Sequence, residues 1–172
     1  MKLFITFLML STSFISCIRQ EPGDYKLRYN RPFTIEAGSS TLLTHVYVFN
    51  FISGWNNLLS ANNLSINDIS KVNIFNVSIS PFLSNEISYN FIEEIKVFIY
   101  DPADRASKLQ IGSAYPEPNE KSGILYLLPG IADIKDYVSL NQFNVEVEIR
   151  YRELLTSSTD HNLELEFDVY KK

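Results

Sequence analysis

The sequence predicts an all-β fold: an antiparallel β-sandwich or barrel of about seven to eight strands, with one or two short helical turns. Three observations lead there. The C-terminal part alternates apolar and polar residues with period two. Upstream, short apolar runs rich in Val, Ile, Phe and Tyr are separated by Pro, Gly, Asn and Asp. Helical periodicity is confined to two short pieces.

In chain order, Phe33 to Ile35 and Leu43 to Phe51 supply one or two strands. Trp55 to Ala61 is a short helical piece, and Ser65-x-x-Asp68 resembles a capping box for another brief turn. Lys71 to Ser80 (KVNIFNVSIS) reads as a strand with Phe75, Val77 and Ile79 on one face, stopped by Pro81. Ile95 to Tyr100 (IKVFIY) is apolar on both faces, which predicts a central strand. It stops at Asp101-Pro102. Leu109 to Ala114 and Ile124 to Leu128 are two more short strands, with Pro116, Pro118 and Gly123 between them and Pro129-Gly130 after. Ile131, Ile134 and Val138 share one side of an amphipathic turn. The helical pieces are expected to plug the ends of the sandwich.

The closing strands carry the clearest pattern. Phe143, Val145, Val147, Ile149 and Tyr151 share one face of Gln142 to Arg152, opposite Asn144, Glu146, Glu148, Arg150 and Arg152. Leu163, Leu165, Phe167 and Val169 share one face of Asn162 to Tyr170, opposite Glu164, Glu166 and Asp168. Leu154 to His161 reads as a polar loop between them. An antiparallel hairpin with a solvated charged face is the expectation.

Composition narrows the function. The chain has 172 residues, 45% hydrophobic and 20% charged. That globular balance excludes a disordered tail, a collagen-like fibre and a coiled coil. One cysteine excludes a disulfide framework and a Cys-rich metal site. A net charge of −5 without a basic cluster argues against nucleic-acid phosphate as a partner.

The first residues, MKLFITFLMLSTSFISC, have the layout of a secretory signal peptide: Lys2, then an apolar run, then smaller and more polar residues. The run is shorter than the roughly 20 residues a membrane span needs. The only cysteine, Cys17, falls where cleavage is expected. Phe14-Ile15-Ser16-Cys17 resembles the lipobox of bacterial lipoproteins, with Ser16 fitting and Phe14 replacing the usual Leu. That resemblance implies a diacylglycerol on the Cys17 sulfur, a cut just before Cys17 and acylation of the new amino terminus. Three acyl chains hold a protein at a membrane firmly, since each buried CH₂ contributes about 0.8 kcal/mol. The expected organisation is a lipoprotein signal peptide over 1–16, a lipidated Cys and polar tether over 17–30, and one β-sandwich domain over 31–172.

The lipobox, the tether, the segments VNIFNVSIS, NFIEEIKVFIYD, KLQIGSAYP and ILYLLPGIADIKDYV, and the two closing strands occur together. Together they resemble small outer-membrane lipoproteins of Bacteroidota-type bacteria built as immunoglobulin-like β-sandwiches. The resemblance implies fold class and localisation, and brings no catalytic residue and no cofactor. Ile18 after the cysteine, where Asp would retain such a lipoprotein in the inner membrane, favours the outer membrane. Arg19-Gln20-Glu21 lacks the acidic run that marks surface export, and the facing stays open.

Candidate chemistry is sparse. Asp160-His161 lies near Ser157 and Ser158, without the G-x-S-x-G elbow that would support a triad. His45 in LLTHVYVF reads as a half-buried, hydrogen-bonded strand residue, because a zinc site needs three or four ligands. Asp101, Asp104, Glu117 and Glu120 surround two loops, where turn formation is favoured over a calcium site. Trp55, beside Asn56 and Asn57, is the best glycan-stacking candidate in the chain, and filling the core is the favoured reading for it. Tyr100, Tyr126 and Tyr151 flank strands. Asn63-Leu64-Ser65 and Asn76-Val77-Ser78 fit a glycosylation sequon, which means nothing in a bacterial lipoprotein. The leading expectation is a non-enzymatic lipid-anchored envelope protein with a binding or structural accessory role, without metal or cofactor. Its partners are the membrane through Cys17 and an envelope protein or glycan. The alternative is a glycan-binding module at the cell surface.

Overall fold

A computed structural model describes residues 22–82, 87–117 and 123–172. The signal segment 1–16, Cys17, Ile18 to Glu21 and Glu120 lie outside the described residues.

Two antiparallel sheets face each other. The first has the order β1-β9-β3-β6, from β1 (Tyr25–Ile35), β9 (Thr159–Lys171), β3 (Ile69–Pro81) and β6 (Leu125–Tyr126). The second has the order β2-β8-β4-β5-β7, from β2 (Thr44–Ile52), β8 (Gln142–Tyr151), β4 (Ile92–Asp101), β5 (Asp104–Ala114) and β7 (Leu128–Pro129). The β-sandwich expected from the alternation is present, and IKVFIY lies in β4, at the centre of its sheet. Inward Val, Ile, Leu and Phe side chains of β3, β4, β8 and β9 form most of the core. Each contributes about 1.5–3 kcal/mol on burial.

Four details differ from the sequence reading. The two alternating strands are not a hairpin: β8 and β9 belong to opposite sheets, each between two other strands. Alternation says which face of a strand is wet, and carries no information about which strand lies beside it. Second, β1 starts at Tyr25 and pairs with β9 from Val169 onward, so the last six residues of the expected tether are strand. Third, Ile124 to Leu128 is not one strand. Leu125 pairs with Ile79 in one sheet and Leu128 with Ser113 in the other. Between them the Leu127 N–H donates to the Val77 carbonyl at 2.9 Å, so this segment steps from sheet to sheet. Gly130 completes the step. A Cβ there would lie 2.7 Å from the Gln110 carbonyl oxygen.

Fourth, Phe75 does not share a face with Val77 and Ile79. The β3–β9 register shifts between Ile74 and Asn76. Such a bulge inserts one residue and resets the alternation. Val72 and Ile74 point inward before it, Val77 and Ile79 after it, and Phe75 is left 51% exposed. Its ring lies 3.8 Å from the Lys26 ammonium, a favourable cation–π placement.

Two short helices, α1 (Trp55–Ala61) and α2 (Lys135–Val138), close the end at which the chain enters β1. The Tyr29 hydroxyl donates to the Ser53 carbonyl just before α1. The Ile134 N–H donates to the Val72 carbonyl at 2.9 Å, and Lys135 Nζ to the Ile69 carbonyl at 2.6 Å. Between α1 and β3, Asp68 accepts from the Ser65 N–H at 2.7 Å and the Ser65 hydroxyl at 2.8 Å. These bonds, the backbone one first, hold the Asp68 carboxyl below its usual range. In α2, Ile134 and Val138 are buried and Ile131 is fully exposed, because the helix starts only at Lys135.

Candidate functional site

The surface with the clearest unmet bonding capacity is the edge strand β2 (THVYVFNFI), which carries no charged residue. β8 covers one side, and among the described residues no strand covers the other. Inward, Tyr47 and Phe49 pack on Phe33 of the opposite sheet, with ring centroids 5.3 and 5.7 Å away. Outward, Val46, Val48 and Ile52 stand exposed, and Leu42 and Leu43 extend the apolar surface just before the strand. The edge at β1 is different. Lys26, Arg28, Arg31 and Pro32 interrupt it, which are the features that blunt a strand edge against pairing.

Two hydrogen bonds fix which backbone groups of β2 face the open side. The Ser53 N–H donates to the Asn141 carbonyl at 3.0 Å, on the β8 side. The Asn50 carbonyl accepts from Arg31 Nη2 at 2.7 Å, away from β8. In an antiparallel strand the N–H and C=O of one residue point the same way, and alternate residues point oppositely. Thr44, Val46, Val48 and Ile52 therefore direct their backbone groups outward with Asn50.

A second surface lies at the end of the sandwich away from the chain entry. Tyr89, Tyr115, Pro116, Leu125 and Tyr126 line a recess of about 280 Å³. Tyr115 and Tyr126 are exposed, and the Tyr115 hydroxyl donates to Glu94 Oε1 at 2.6 Å. That bond raises the Tyr115 phenol, and the Glu94 carboxyl is lowered chiefly by its bond from Lys96 Nζ at 2.6 Å and then by the Tyr115 hydroxyl. Arg152 ties the loops here together, donating to the Asn90 carbonyl at 2.8 Å and the Pro116 carbonyl at 2.9 Å.

Several residues singled out in the sequence land elsewhere. Trp55 is 2% exposed and belongs to the core cluster, so it offers no face to a sugar ring. It opens α1 and points inward because its indole carries the largest apolar surface in that segment. His161 is not in a polar loop: it lies within β9 and is fully buried. Its Nδ1 is 3.2 Å from the Tyr89 hydroxyl and its Nε2 is 2.8 Å from Thr159 Oγ1. Burial drops the imidazole to about 4, with the Asp160 charge opposing weakly. Asp160 accepts from Thr34 Oγ1 at 2.6 Å, and Ser158 Oγ donates to Glu36 at 2.9 Å, so serine, histidine and aspartate do not converge. His45 is half-buried as expected, with Nε2 2.8 Å from the Ser40 carbonyl and its ring 4.8 Å from that of Tyr151. Tyr100 and Tyr151 are buried, and Asn76 lies inside β3.

Asp101 and Asp104 turn the chain between β4 and β5. Asp101 Oδ1 accepts from the Ala103 N–H at 2.8 Å, and Asp104 Oδ1 from the Ala106 N–H at 2.9 Å. Among the described residues no three His, Cys, Asp or Glu side chains are placed to hold a metal ion.

The charged faces of β8 and β9 are not merely solvated. Glu146 is fully buried, pairing with Lys108 Nζ at 2.6 Å and Arg105 Nη2 at 2.8 Å. Desolvation raises its carboxyl, and the bonds and charges of Lys108 and Arg105 outweigh that, leaving it below the usual range. Val48 and Phe98 flank it in the neighbouring strands. Asp168 is buried as well, with Lys26 Nζ 3.4 Å away. A carboxylate pattern in sequence looks the same whether long cations fold over it or leave it open.

Compared with known proteins, the chain matches no family model and no curated relative.

Proposed function

We propose that the chain is a non-enzymatic, lipid-anchored lipoprotein of the bacterial outer membrane, acting as a binding or structural accessory module of the envelope. The single observation that carries the reading is the sole cysteine at position 17, at the end of a signal-peptide layout. The fold is compatible with it. β1 begins at Tyr25, only eight residues after Cys17. At about 3.3–3.6 Å per extended residue, a lipid on Cys17 keeps the helical end of the sandwich within about 30 Å of the bilayer. The tyrosine-lined recess and the loops around Arg152 lie at the other end of the sandwich from that attachment. Among the described residues no helix is long and apolar enough to cross a membrane.

A second reading, a glycan-binding module, moves from Trp55 to Tyr115 and Tyr126, the exposed rings at the recess. Stacking of planar rings on sugars is the chemistry they offer.

Intact mass and membrane fractionation of the native protein beside Cys17→Ala test the anchor. Loss of residues 1–16, a gain of lipid mass and outer-membrane sedimentation, all abolished by Cys17→Ala, are the expected result. A soluble, unlipidated native chain would sink the reading.

A further inference from the structure

We infer that the open edge of β2 is a self-recognition surface: two copies of this chain pair their β2 strands antiparallel across a two-fold axis at Tyr47, joining the two five-stranded sheets into one. The inference goes beyond the anchored-module reading and does not rest on lipidation.

Three observations carry it. First, the Arg31 guanidinium touches the edge only at the Asn50 carbonyl, and the edge is open from Thr44 to Val48. Its outward backbone groups at Thr44, Val46, Val48 and Ile52 have no strand beside them among the described residues, and nothing charged interrupts the strand. An edge of this length and composition is a template for another strand. The β1 edge of the same molecule carries the protective features that β2 lacks.

Second, the outward side chains are complementary to themselves in one register. Antiparallel pairing about Tyr47 puts Val46 opposite Val48 of the second copy, and Val48 opposite its Val46. Thr44 then faces Asn50, so along the strand apolar meets apolar and polar meets polar. Ile52, 81% exposed, and Leu42, 90% exposed in the turn before the partner's strand, come to the same end of the pairing. Shifting the axis to Val48 sets Val46 against Asn50 and Thr44 against Ile52, apolar against polar in both pairs.

Third, the backbone phase is correct. The residues brought opposite one another, Val46 with Val48 and Thr44 with Asn50, are the ones whose N–H and C=O point outward. Four such pairs form about eight backbone hydrogen bonds. The Asn50 carbonyl keeps a second lone pair beside its bond from Arg31. A closed two-fold pairing also consumes the edge in both copies, so assembly stops at two.

Sedimentation equilibrium of the full chain in density-matched nonionic detergent tests this, with Val46→Lys plus Val48→Lys and Val46→Glu plus Val48→Glu as variants. Both substituted positions are on the exposed face, and folding of each variant is checked by circular dichroism and urea unfolding. The wild type is expected to reach twice the mass of one chain at concentrations up to about 100 μM. Each variant alone is expected at the monomer mass, because Lys meets Lys and Glu meets Glu across the axis. An equimolar mixture of the two variants is expected to recover the dimer. A wild type that stays monomeric overturns the inference and leaves the edge to a different occupant. So does open-ended assembly, a Lys variant that still dimerises, or a mixture that does not. None of these outcomes depends on the Cys17 result, so the two readings fail separately.

Discussion

Acid should loosen this sandwich through one side chain. His161 is neutral, fully buried in β9 and held between Tyr89 and Thr159, with the Phe33 ring 5.7 Å away. Burial lowers its pKa from 6.5 to about 4. The unfolded chain therefore binds a proton that the folded chain refuses between those two values, and stability rises with pH across that window. Above pH 6.5 the folded state is unaffected. As pH falls from 6.5 to about 4, roughly 3 kcal/mol is lost, because each pH unit in that window is worth about 1.4 kcal/mol. That is a large share of the roughly 5–15 kcal/mol typical of a domain. Urea denaturation at pH 7.5, 5.5 and 4.5 measures it, with His161→Phe as the comparison. Phenylalanine fills the same space and cannot titrate. The wild type should lose stability steadily across the series while the variant stays nearly level. Carboxylates held below their usual range, such as Glu146 and Glu166, act only at lower pH and act on both proteins. Equal pH slopes in the two proteins, or a His161 resonance titrating near 6.5 by NMR, would refute the account.

The other expectations follow from burial and pairing. Trp55 fluorescence should be blue-shifted in the native state, insensitive to added polysaccharide and poorly quenched by acrylamide, and Trp55→Ala should cost about 3–5 kcal/mol in urea unfolding. The bulge in β3 separates two neighbours: Phe75→Ala should cost under about 1 kcal/mol, while Ile79→Ala should cost about 2–5 kcal/mol. Similar costs for the two would remove the bulge from the fold. Glu146→Ala takes the carboxylate from Arg105 and leaves Lys108 with Glu148 alone, and should destabilise by about 1–2 kcal/mol, below the roughly 3–5 kcal/mol of a fully buried pair because Arg105 reaches solvent and Lys108 keeps a partner. Glu148→Ala, whose partner Lys108 keeps Glu146, should change stability by less than about 1 kcal/mol.

Much of the fold was legible in advance because side-chain alternation is a local property. Phe143, Val145, Val147 and Ile149 declare an inward face without reference to any other strand. Pro81, Asp101-Pro102 and Pro129-Gly130 mark real ends because they act on their own backbone. The candidate site was not legible as such. THVYVFNFI reads as an ordinary apolar strand, and becomes an open edge only once the topology leaves β8 on one side of it and, among the described residues, no strand on the other. His161 was misplaced for a related reason: polar neighbours such as Asp160 described the segment's surface, while the fold turned its ring inward, as it did the Trp55 ring that the core reading favoured.

The sequence by itself determined the β class, the inward faces and the position of the single cysteine, since each depends on residue type and spacing alone. Only the tertiary structure decided that β8 and β9 lie in opposite sheets, that Phe75 is expelled by a bulge, that Lys108 and Arg105 close over Glu146, and that β2 is an edge. Each of these depends on which distant segments become neighbours. Period-two patterning leaves that undetermined, because every half-buried strand presents the same alternation to every prospective partner.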